Sequence, residues 1–408
     1  MRELSEAQKS EFKDILETLG ESLDITKTQF DNLTRSYKAV GEFLRKDPAF
    51  IAYKPLVTPQ GSLRLGTIIR PISPSDDLDV DLVYRLSDKQ LSWTQKDIKE
   101  KVGLRLKNSD RYSSMLQDEE GRRCWTLLYR DDSDNPTEKY HMDILPAVAD
   151  SKYGERLLRL CSQNYSDLTI DQISIRITDT QSNNYKTSTQ IEEWLKSNPD
   201  GYALWFANRC KSDVSLKMLM EQVVPCEKYN THKTVLQRIV QILKRHRDMM
   251  FYADNDDKPI SIIITTIAAQ AYGGESNLVD GLVNVVENME KGITKGKNGE
   301  DWIANPVNPE ENFADKWSTH PKRRENFYKW LNAVKKDVAD IFEGSNHTEI
   351  NSRIGRIFGQ DTAKTAASLL AERRKVGIAT GSTLLSSSGI VGATGKKLNA
   401  ANTFYGKA

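Results

Sequence analysis

The sequence lacks an apolar run long enough to cross a bilayer. The longest one, Ile262 to Ala269, is short and interrupted by threonines, whereas a membrane-spanning helix needs about 20 apolar residues. The first residues, MRELSEAQKSEFK, also lack the apolar core of a secretory signal. These two absences predict a cytoplasmic protein without a membrane partner.

The chain also has few cysteines and a net charge close to zero. The chain has four cysteines in 408 residues, widely spaced and without a CxxC pair, which argues against a zinc site and predicts buried thiols in a reducing compartment. The formal net charge is +1, so nothing in the bulk electrostatics favours nucleic acid or membranes as partners. The cysteines are Cys124, Cys161, Cys210 and Cys226.

The composition, with 38% hydrophobic and 28% charged residues, is that of a globular protein. The length of 408 residues predicts two or three domains. Residues 1–48 predict two N-terminal helices that pack on the lobe following them. Residues 49–155 alternate short strands with turns, and residues 156–376 are predicted to be mostly helical. Residues 377–408 are rich in Gly, Ser, Thr and Ala and have no acidic residue, which is typical of a flexible tail.

One stretch, QGSLRLGTIIRPISPSDDLDVDLVY from Gln60 to Tyr84, carries most of the chemistry. Near its end, Asp79 and Asp81 alternate with apolar residues, and this period of two predicts a half-buried strand with both carboxylates on one face. A divalent cation between the carboxylates would relieve their repulsion, and oxygen-only ligands suit Mg²⁺. Asp77 lies on the same face as Asp79, but the apolar residues on both sides of Asp79 and Asp81 favour that pair.

The same stretch begins with a predicted anion cradle. Glycine allows close approach of the backbone, and a Gly61-Ser62 turn presents N–H groups and a hydroxyl to an anion. We expect Gln60 to help position the same anion. A phosphate cradle and metal-binding carboxylates on one short segment predict nucleotidyl transfer from a nucleoside triphosphate.

A third carboxylate follows some sixty residues later. The segment from Tyr140 to Pro146 predicts a strand on which His141 and Asp143 share one face. Pairing of this strand with the first would bring Asp143 beside Asp79 and Asp81. We interpret His141 as structural.

Two further candidates lie in the helical half of the chain. The segment from Thr234 to Tyr252 predicts a strong helix with Lys244, Arg245 and Arg247 near its end. Ser261 begins the next predicted helix, where phosphate oxygens bind readily. From the residues alone, Lys244 could equally be a solvated charge and Ser261 a helix cap.

These residues resemble a known family. Gln60-Gly61-Ser62, Asp79-Val80-Asp81 and Asp143 resemble the signature of polymerase-β-type nucleotidyltransferases, although the sixteen residues between Ser62 and Asp79 exceed the usual spacing. The segments DLDVDLVY, LKRHRD and KPISIIITTIAAQAYG resemble the bacterial cyclic-oligonucleotide synthases of anti-phage systems, the CD-NTase family, which are relatives of animal cyclic GMP-AMP synthase. The resemblance extends from the first helix to about residue 375.

The resemblance implies an α+β fold of two lobes, with a mixed-sheet catalytic palm, a helical C-terminal lobe and an active site in the cleft between them. It implies that Asp79, Asp81 and Asp143 bind two Mg²⁺ or Mn²⁺ ions, and that Lys244 and Ser261 contact phosphates. The product would be a cyclic di- or trinucleotide second messenger, made from nucleoside triphosphates with release of pyrophosphate and read by a downstream effector in anti-phage defence.

The tail also resembles the C-termini of synthases that a ubiquitin-like transfer machinery joins to targets through the last residue, here Ala408. An unstructured end without a role is an equal interpretation.

Three alternative functions stay open. An RNA-modifying nucleotidyltransferase, such as a poly(A)- or CCA-adding enzyme, is disfavoured because the chain lacks a basic tract for a long polynucleotide. An antibiotic-modifying nucleotidyltransferase need not have so large a helical lobe. A non-catalytic nucleotide-binding module is disfavoured because all three carboxylates are present.

Overall fold

The structure is a computed structural model of the 408-residue chain. It describes residues 4–72, 78–130, 139–150, 174–210 and 229–380, together with three two-residue strands between residues 384 and 397. The chain divides into two compact units. We call residues 25–232 and 304–312 the palm unit, and residues 1–24, 233–303 and 313–408 the helical unit.

The described elements are numbered in chain order. The helices are α1 (Glu6–Ser22), α2 (Lys27–Arg45), α3 (Gly61–Arg64), α4 (Gln95–Lys107), α5 (Pro199–Arg209), α6 (Val235–Met250), α7 (Ser261–Ala271), α8 (Leu278–Asn288), α9 (Pro321–Phe342), α10 (His347–Phe358) and α11 (Gln360–Thr380). The strands are β1 (Leu56–Pro59), β2 (Leu78–Leu86), β3 (Trp125–Tyr129), β4 (Tyr140–Ala149), β5 (Ile175–Ile177), β6 (Leu195–Ser197), β7 (Thr294–Lys295), β8 (Asp301–Trp302), β9 (Ala304–Asn305), β10 (Asn308–Asn312), β11 (Leu384–Leu385), β12 (Val391–Gly392) and β13 (Lys396–Lys397).

The palm unit is built on a mixed six-stranded sheet. Strands β2 and β4 pair in parallel over nine residues, and β1 pairs antiparallel with β2. The other edge of β4 is shared: its first half pairs antiparallel with β3, and its last three residues pair with β5, which then pairs with β6. The mixed sheet and the many helices confirm the α+β fold class predicted from the sequence.

The larger core of the palm unit lies under one face of this sheet, and a smaller buried cluster around Val83 and Leu145 lies on the other face. The apolar face of β2 joins buried residues of α2, α4, β3 and β4 in one cluster, and each such side chain contributes about 1.5–3 kcal/mol when fully buried. Trp125 shows how closely the parts fit. Its indole N–H donates to the Lys99 carbonyl at 2.8 Å, and a Cβ at Gly103 would lie 2.2 Å from its ring.

The helical unit corrects the predicted placement of the first helix. Residues 1–48 were expected to pack on the palm lobe as two helices, and only α2 belongs to the palm unit. Helix α1 packs instead against α6, α8 and α11. Phe12 meets Phe342 edge to face at 5.0 Å, and Arg373 donates to Glu17 at 2.9 Å and Glu21 at 2.7 Å. The amphipathic pattern predicts a buried face without specifying its partner, which is why the placement was wrong.

The boundary predicted at residues 155 and 156 also differs from the structure. The palm unit continues through β5, β6 and α5. Strands of three residues leave little periodic signal in the sequence, which is why the boundary was placed too early. Arg176 of β5 helps to hold these strands in the palm unit, because it pairs with buried Asp150 and donates to the carbonyl groups of Glu192 and Trp194. At the other end, α11 extends to Thr380, four residues into the predicted tail.

Two sequence expectations are covered in part by the described residues. Cys210 is buried and Cys124 is half-buried, and both are free thiols, whereas Cys161 and Cys226 lie outside the described residues. None of the helices in the described ranges is long and apolar enough to span a membrane.

Candidate active site

The three candidate aspartates lie on the two parallel strands at the centre of the palm sheet. In the register of β2 and β4, Asp81 is opposite Asp143 and Asp79 is opposite His141, so the two strands present these side chains about 4.8 Å apart. Asp79 is exposed, and Asp81 and Asp143 are half-buried between buried apolar neighbours. The alternation and the sheet pairing predicted from the sequence are therefore both confirmed. Asp77 lies outside the described residues.

Strand β3 and the residue before it, Cys124, add two side chains beside these carboxylates. Thr126 is opposite Asp143, and its hydroxyl Oγ1 donates to Asp143 Oδ1 at 2.5 Å. Burial raises the pKa of the Cys124 thiol to about 12, and the carboxylates of Asp143 and Asp81 add to this rise. Thr126 and Cys124 thus place one hydroxyl donor and one neutral thiol near the carboxylates of Asp143 and Asp81.

The predicted anion cradle is attached directly to Asp81. Gln60 caps the short helix α3 and donates its backbone N–H to the Asp81 carbonyl at 2.8 Å. Gly61 has φ +61°, a left-handed conformation that favours glycine. A Cβ at this position would lie 2.4 Å from Asp81 Oδ2. The Ser62 carbonyl accepts from the Thr67 N–H at 2.9 Å, which closes the turn.

A charged cluster, which the sequence analysis missed, connects the cradle to the same strand. Arg64 ends α3, and Arg85 lies on the face of β2 that carries Asp81. Both approach Asp200 of α5, at 3.7 and 3.6 Å. Burial raises the pKa of Asp200, and the two guanidinium groups counter this rise. No spacing in the sequence connects Asp200 with residues more than one hundred positions earlier, so only the fold could reveal the cluster.

Lys244 and Ser261 belong to the helical unit. Ser261 is the first residue of α7, as predicted. Its Oγ accepts from the guanidinium of Arg247 at 2.9 Å, and the same guanidinium donates to the Pro259 carbonyl at 2.9 Å. Lys244 is only 6% exposed, so the interpretation as a solvated charge is wrong. The sequence did contain a signal that Arg247 lies near Lys244, because a spacing of three residues places both on one side of α6.

The donor set suits a divalent cation such as Mg²⁺. It consists of carboxylate oxygens carried by adjacent strands, where the register holds the three Cα positions, and Mg²⁺ takes one or two carboxylates and completes its shell with water and phosphate. Within the described ranges, no three acidic, imidazole or thiol groups already converge at metal-ligand distances. Like charges on neighbouring strands repel, so a cation bound between these carboxylates would stabilise their arrangement.

Comparisons with known proteins show which proteins this chain resembles. Residues 9–169 match the model of the Second Messenger Oligonucleotide or Dinucleotide Synthetase domain. This segment contains the cradle and all three aspartates. A protein of Roseivirga ehrenbergii named c-di-GMP synthase is 28% identical over 358 residues, which cover 86% of this chain and 85% of that protein.

Solved structures show the same fold at low sequence identity. The CD-NTase CdnG of Bradyrhizobium diazoefficiens, solved in complex with GTP, has a TM-score of 0.63 and 15% identity, with 88% of this chain and 99% of that chain covered. The cyclic AMP-GMP synthase DncV of Vibrio cholerae, solved with a linear intermediate, has a TM-score of 0.51 and 14% identity, with 88% of each chain covered. The chain therefore resembles the cyclic oligonucleotide synthases, through the domain model that residues 9–169 match and through the Roseivirga relative, and it shares the α+β fold of the solved CD-NTases.

Proposed function

We propose that this enzyme joins nucleoside triphosphates into a cyclic di- or trinucleotide and releases pyrophosphate at each step by two-metal catalysis. The observation that carries the proposal is the parallel register that sets Asp81 opposite Asp143, with the Gly61 turn against the Asp81 carboxylate. One short region of the palm unit thus supplies both the carboxylates and the phosphate cradle that nucleotidyl transfer requires.

The carboxylates of Asp79, Asp81 and Asp143 would hold two Mg²⁺ or Mn²⁺ ions. Such a pair, when bound, stabilises the attacking and leaving oxygens of an in-line displacement. Asp143 lies across from Asp81, which separates the two negative centres onto different strands. We assign Asp143 to the side of the attacking ribose hydroxyl, and Asp79 with Asp81 to the side of the triphosphate.

The cradle would hold the triphosphate. Backbone N–H groups after Gly61 and the hydroxyl of Ser62 are donors at a turn, where phosphate oxygens bind readily, and Gln60 adds an amide. In the helical unit, Ser261 Oγ already accepts from Arg247, so its hydroxyl hydrogen is the part available to a phosphate oxygen. Lys244 would add positive charge. Their roles as phosphate ligands follow from the family resemblance.

Guanine nucleotides are the first substrates to test. The Roseivirga relative is named a c-di-GMP synthase, and CdnG was solved in complex with GTP. We therefore propose GTP as donor and acceptor, with a cyclic product that contains guanine. Closure of the ring needs the linear intermediate to react a second time in the same site.

Product analysis tests this proposal. The purified protein is incubated with Mg²⁺ or Mn²⁺ and GTP alone, then with all four nucleoside triphosphates, and the phosphatase-treated products are identified by mass spectrometry. We expect a phosphatase-resistant species with the mass of a cyclic di- or trinucleotide. Linear or RNA-attached products with pyrophosphate release would instead support the RNA-modifying alternative. Binding of GTP without any metal-dependent pyrophosphate release would support the non-catalytic module.

Two biological roles belong to the same proposal. We propose that the cyclic product acts in anti-phage defence, so cells carrying the whole operon should lose protection when Asp79 and Asp81 are both changed to Asn. We also propose conjugation of the C-terminus through Ala408, which lies outside the described residues. Deletion of Ala408 should remove covalent adducts of the protein in those cells, and adducts that persist would contradict conjugation.

A further inference from the structure

The side chain of Thr126, on β3, donates a hydrogen bond to a candidate metal-binding carboxylate. Strand β3 runs antiparallel to β4 with Thr126 opposite Asp143, and the hydroxyl Oγ1 lies 2.5 Å from Asp143 Oδ1. Its neighbours Trp125 and Leu127 are buried on the opposite face. The strand is therefore anchored on its core side, and the hydroxyl lies on the side of the carboxylates.

We propose that Thr126 is a positioning residue that orients Asp143 for metal binding and for activation of the attacking hydroxyl. This inference rests on the proposed function. A hydroxyl that donates to a carboxylate forms a short, strong bond, and the β-branched threonine has few side-chain rotamers in which to place it. Among the described residues, none donates a hydrogen bond to the second oxygen, Oδ2. The bond at Oδ1 thus fixes the plane of the carboxylate and presents Oδ2 as the ligand.

The physical need for such a donor comes from the register. Asp81 lies across from Asp143 on the parallel strand, so the two carboxylates repel each other before a cation binds. Without a fixed hydrogen bond, Asp143 would rotate away from Asp81 and would have to be reoriented at each turnover. Groups that orient a metal ligand typically change metal affinity by about 10- to 100-fold when they are removed.

Replacement of Thr126 by Val and by Ser separates orientation from folding. Valine keeps the shape and β-branching of threonine and lacks the hydroxyl, whereas serine keeps the hydroxyl. The backbone bond from the Gln117 N–H to the Thr126 carbonyl, 2.9 Å long, survives both changes. Thr178→Val is the matched control, because it removes a palm hydroxyl that donates to the carbonyl groups of Arg123 and Pro146, at 3.3 and 3.5 Å, and not to Asp143.

Two measurements test the proposal: steady-state pyrophosphate release from GTP, and Mn²⁺ binding to the nucleotide-free protein by calorimetry. T126V is expected to lower kcat about 10- to 100-fold with little change in KM for GTP, since misplacement of a group by about 1 Å costs this much. It should also weaken Mn²⁺ binding about tenfold. T126S should restore most of both values, and T178V should match the wild type.

The proposal is overturned if T126V keeps the wild-type kcat and Mn²⁺ affinity, or if T126S is as impaired as T126V. A lowered melting temperature with unchanged kcat per folded molecule would show a purely structural role. Failure of the proposed function is a separate result, because it appears in the wild-type protein as Mn²⁺-independent or absent pyrophosphate release. The Mn²⁺ titration then still decides whether Thr126 orients Asp143.

Discussion

The palm unit and the helical unit place their charged residues in opposite ways. On β2, Asp79 is exposed and Asp81 is half-buried, because alternate positions of a strand with one covered face lie outside the core. On α6, the four residues from Lys244 to Arg247 are only 2% to 6% exposed. Helices α1, α7, α8, α9 and α10 all contact α6, so most of its residues are buried. The pattern of charged residues in the sequence therefore predicts solvent exposure well for this strand and poorly for a helix that packs against several others.

This difference predicts two kinds of mutational effect. If the candidate carboxylates of the palm sheet act on the reaction, their removal should affect turnover more than folding. Buried ion pairs of the helical unit, such as Arg238 with Asp24, join its helices, and their removal should affect stability more than turnover. The four predictions below test this division, from the largest expected effect to the smallest.

The Asp79→Asn, Asp81→Asn double variant is expected to reduce pyrophosphate release by about a thousandfold or more, since it removes two metal-binding charges from the reaction centre. Both side chains lie on the open face of β2, so the melting temperature should change by only a few degrees. Pyrophosphate release and thermal unfolding measure the two effects. Turnover above a few per cent of wild type would show that the metal assignment is wrong.

Gly61→Ala is expected to lower turnover about 100-fold. The new Cβ would lie 2.4 Å from Asp81 Oδ2 and would require a left-handed backbone at φ +61°, so the cradle and the carboxylate must move apart. Gly299→Ala in the helical unit is the matched control, because Gly299 has φ +82° and no atom within 4 Å of an added Cβ. It carries the same backbone strain of about 1–2 kcal/mol without the clash. Equal activity losses in both variants would contradict the prediction.

Arg238→Ala should lower the free energy of unfolding by about 3–5 kcal/mol, because it leaves a buried acidic partner without its counter-charge. Arg238 donates to Asp24 at 2.9 Å and to the Gly20 carbonyl at 2.8 Å, and it joins α6 to the end of α1. Activity per folded molecule should stay within about twofold. Urea unfolding gives the stability change.

The control for this variant is Lys9→Ala, which removes a surface ion pair with Asp280, 3.2 Å long. Exposed pairs contribute little to stability because solvent screens them, so Lys9→Ala should barely move the unfolding midpoint. A similar loss of stability in both variants would show that burial of Arg238 is not the cause.

Lowering the pH should decrease the stability of both units. A hydrogen bond from His246, at 3.0 Å, lowers the pKa of Asp337 in the helical unit. In the palm unit, burial acts to raise the pKa of Asp179, but hydrogen bonds from Arg122 and Arg123 bring it below its usual value. A lowered carboxyl pKa stabilises the folded state above the unfolded pKa of about 3.9, and this contribution is lost as the pH falls through the folded pKa.

Asp337→Asn and Asp179→Asn should therefore lower the melting temperature at pH 7, and the difference from wild type should shrink below about pH 4. Thermal unfolding between pH 7 and pH 3 measures this effect, which we expect to be the smallest of the four. A difference that stays constant over this range would contradict the assignment to ionised carboxylates.

The sequence predicted the parts of the site that depend on local patterns. The alternation around Asp79 and Asp81, the strand of Asp143 and the helix start at Ser261 are all present. The partners of these residues were not predictable. Thr126 contacts Asp143, Arg247 contacts Ser261 of the next helix, and Asp200 approaches Arg64 and Arg85. These pairings follow from packing, although the spacing of Arg247 from Lys244 placed both on one side of α6.

The sequence by itself determined which residues form strands and helices and which faces of the strands carry carboxylates, because those properties repeat with the period of the backbone. Only the tertiary structure decided that Asp143 is opposite Asp81, that Gly61 leaves no space for a side chain beside that carboxylate, and that Lys244 is buried. Each of these depends on the register or packing of elements far apart in the chain. Such pairings are selected by the complementarity of whole surfaces, and no single segment encodes them.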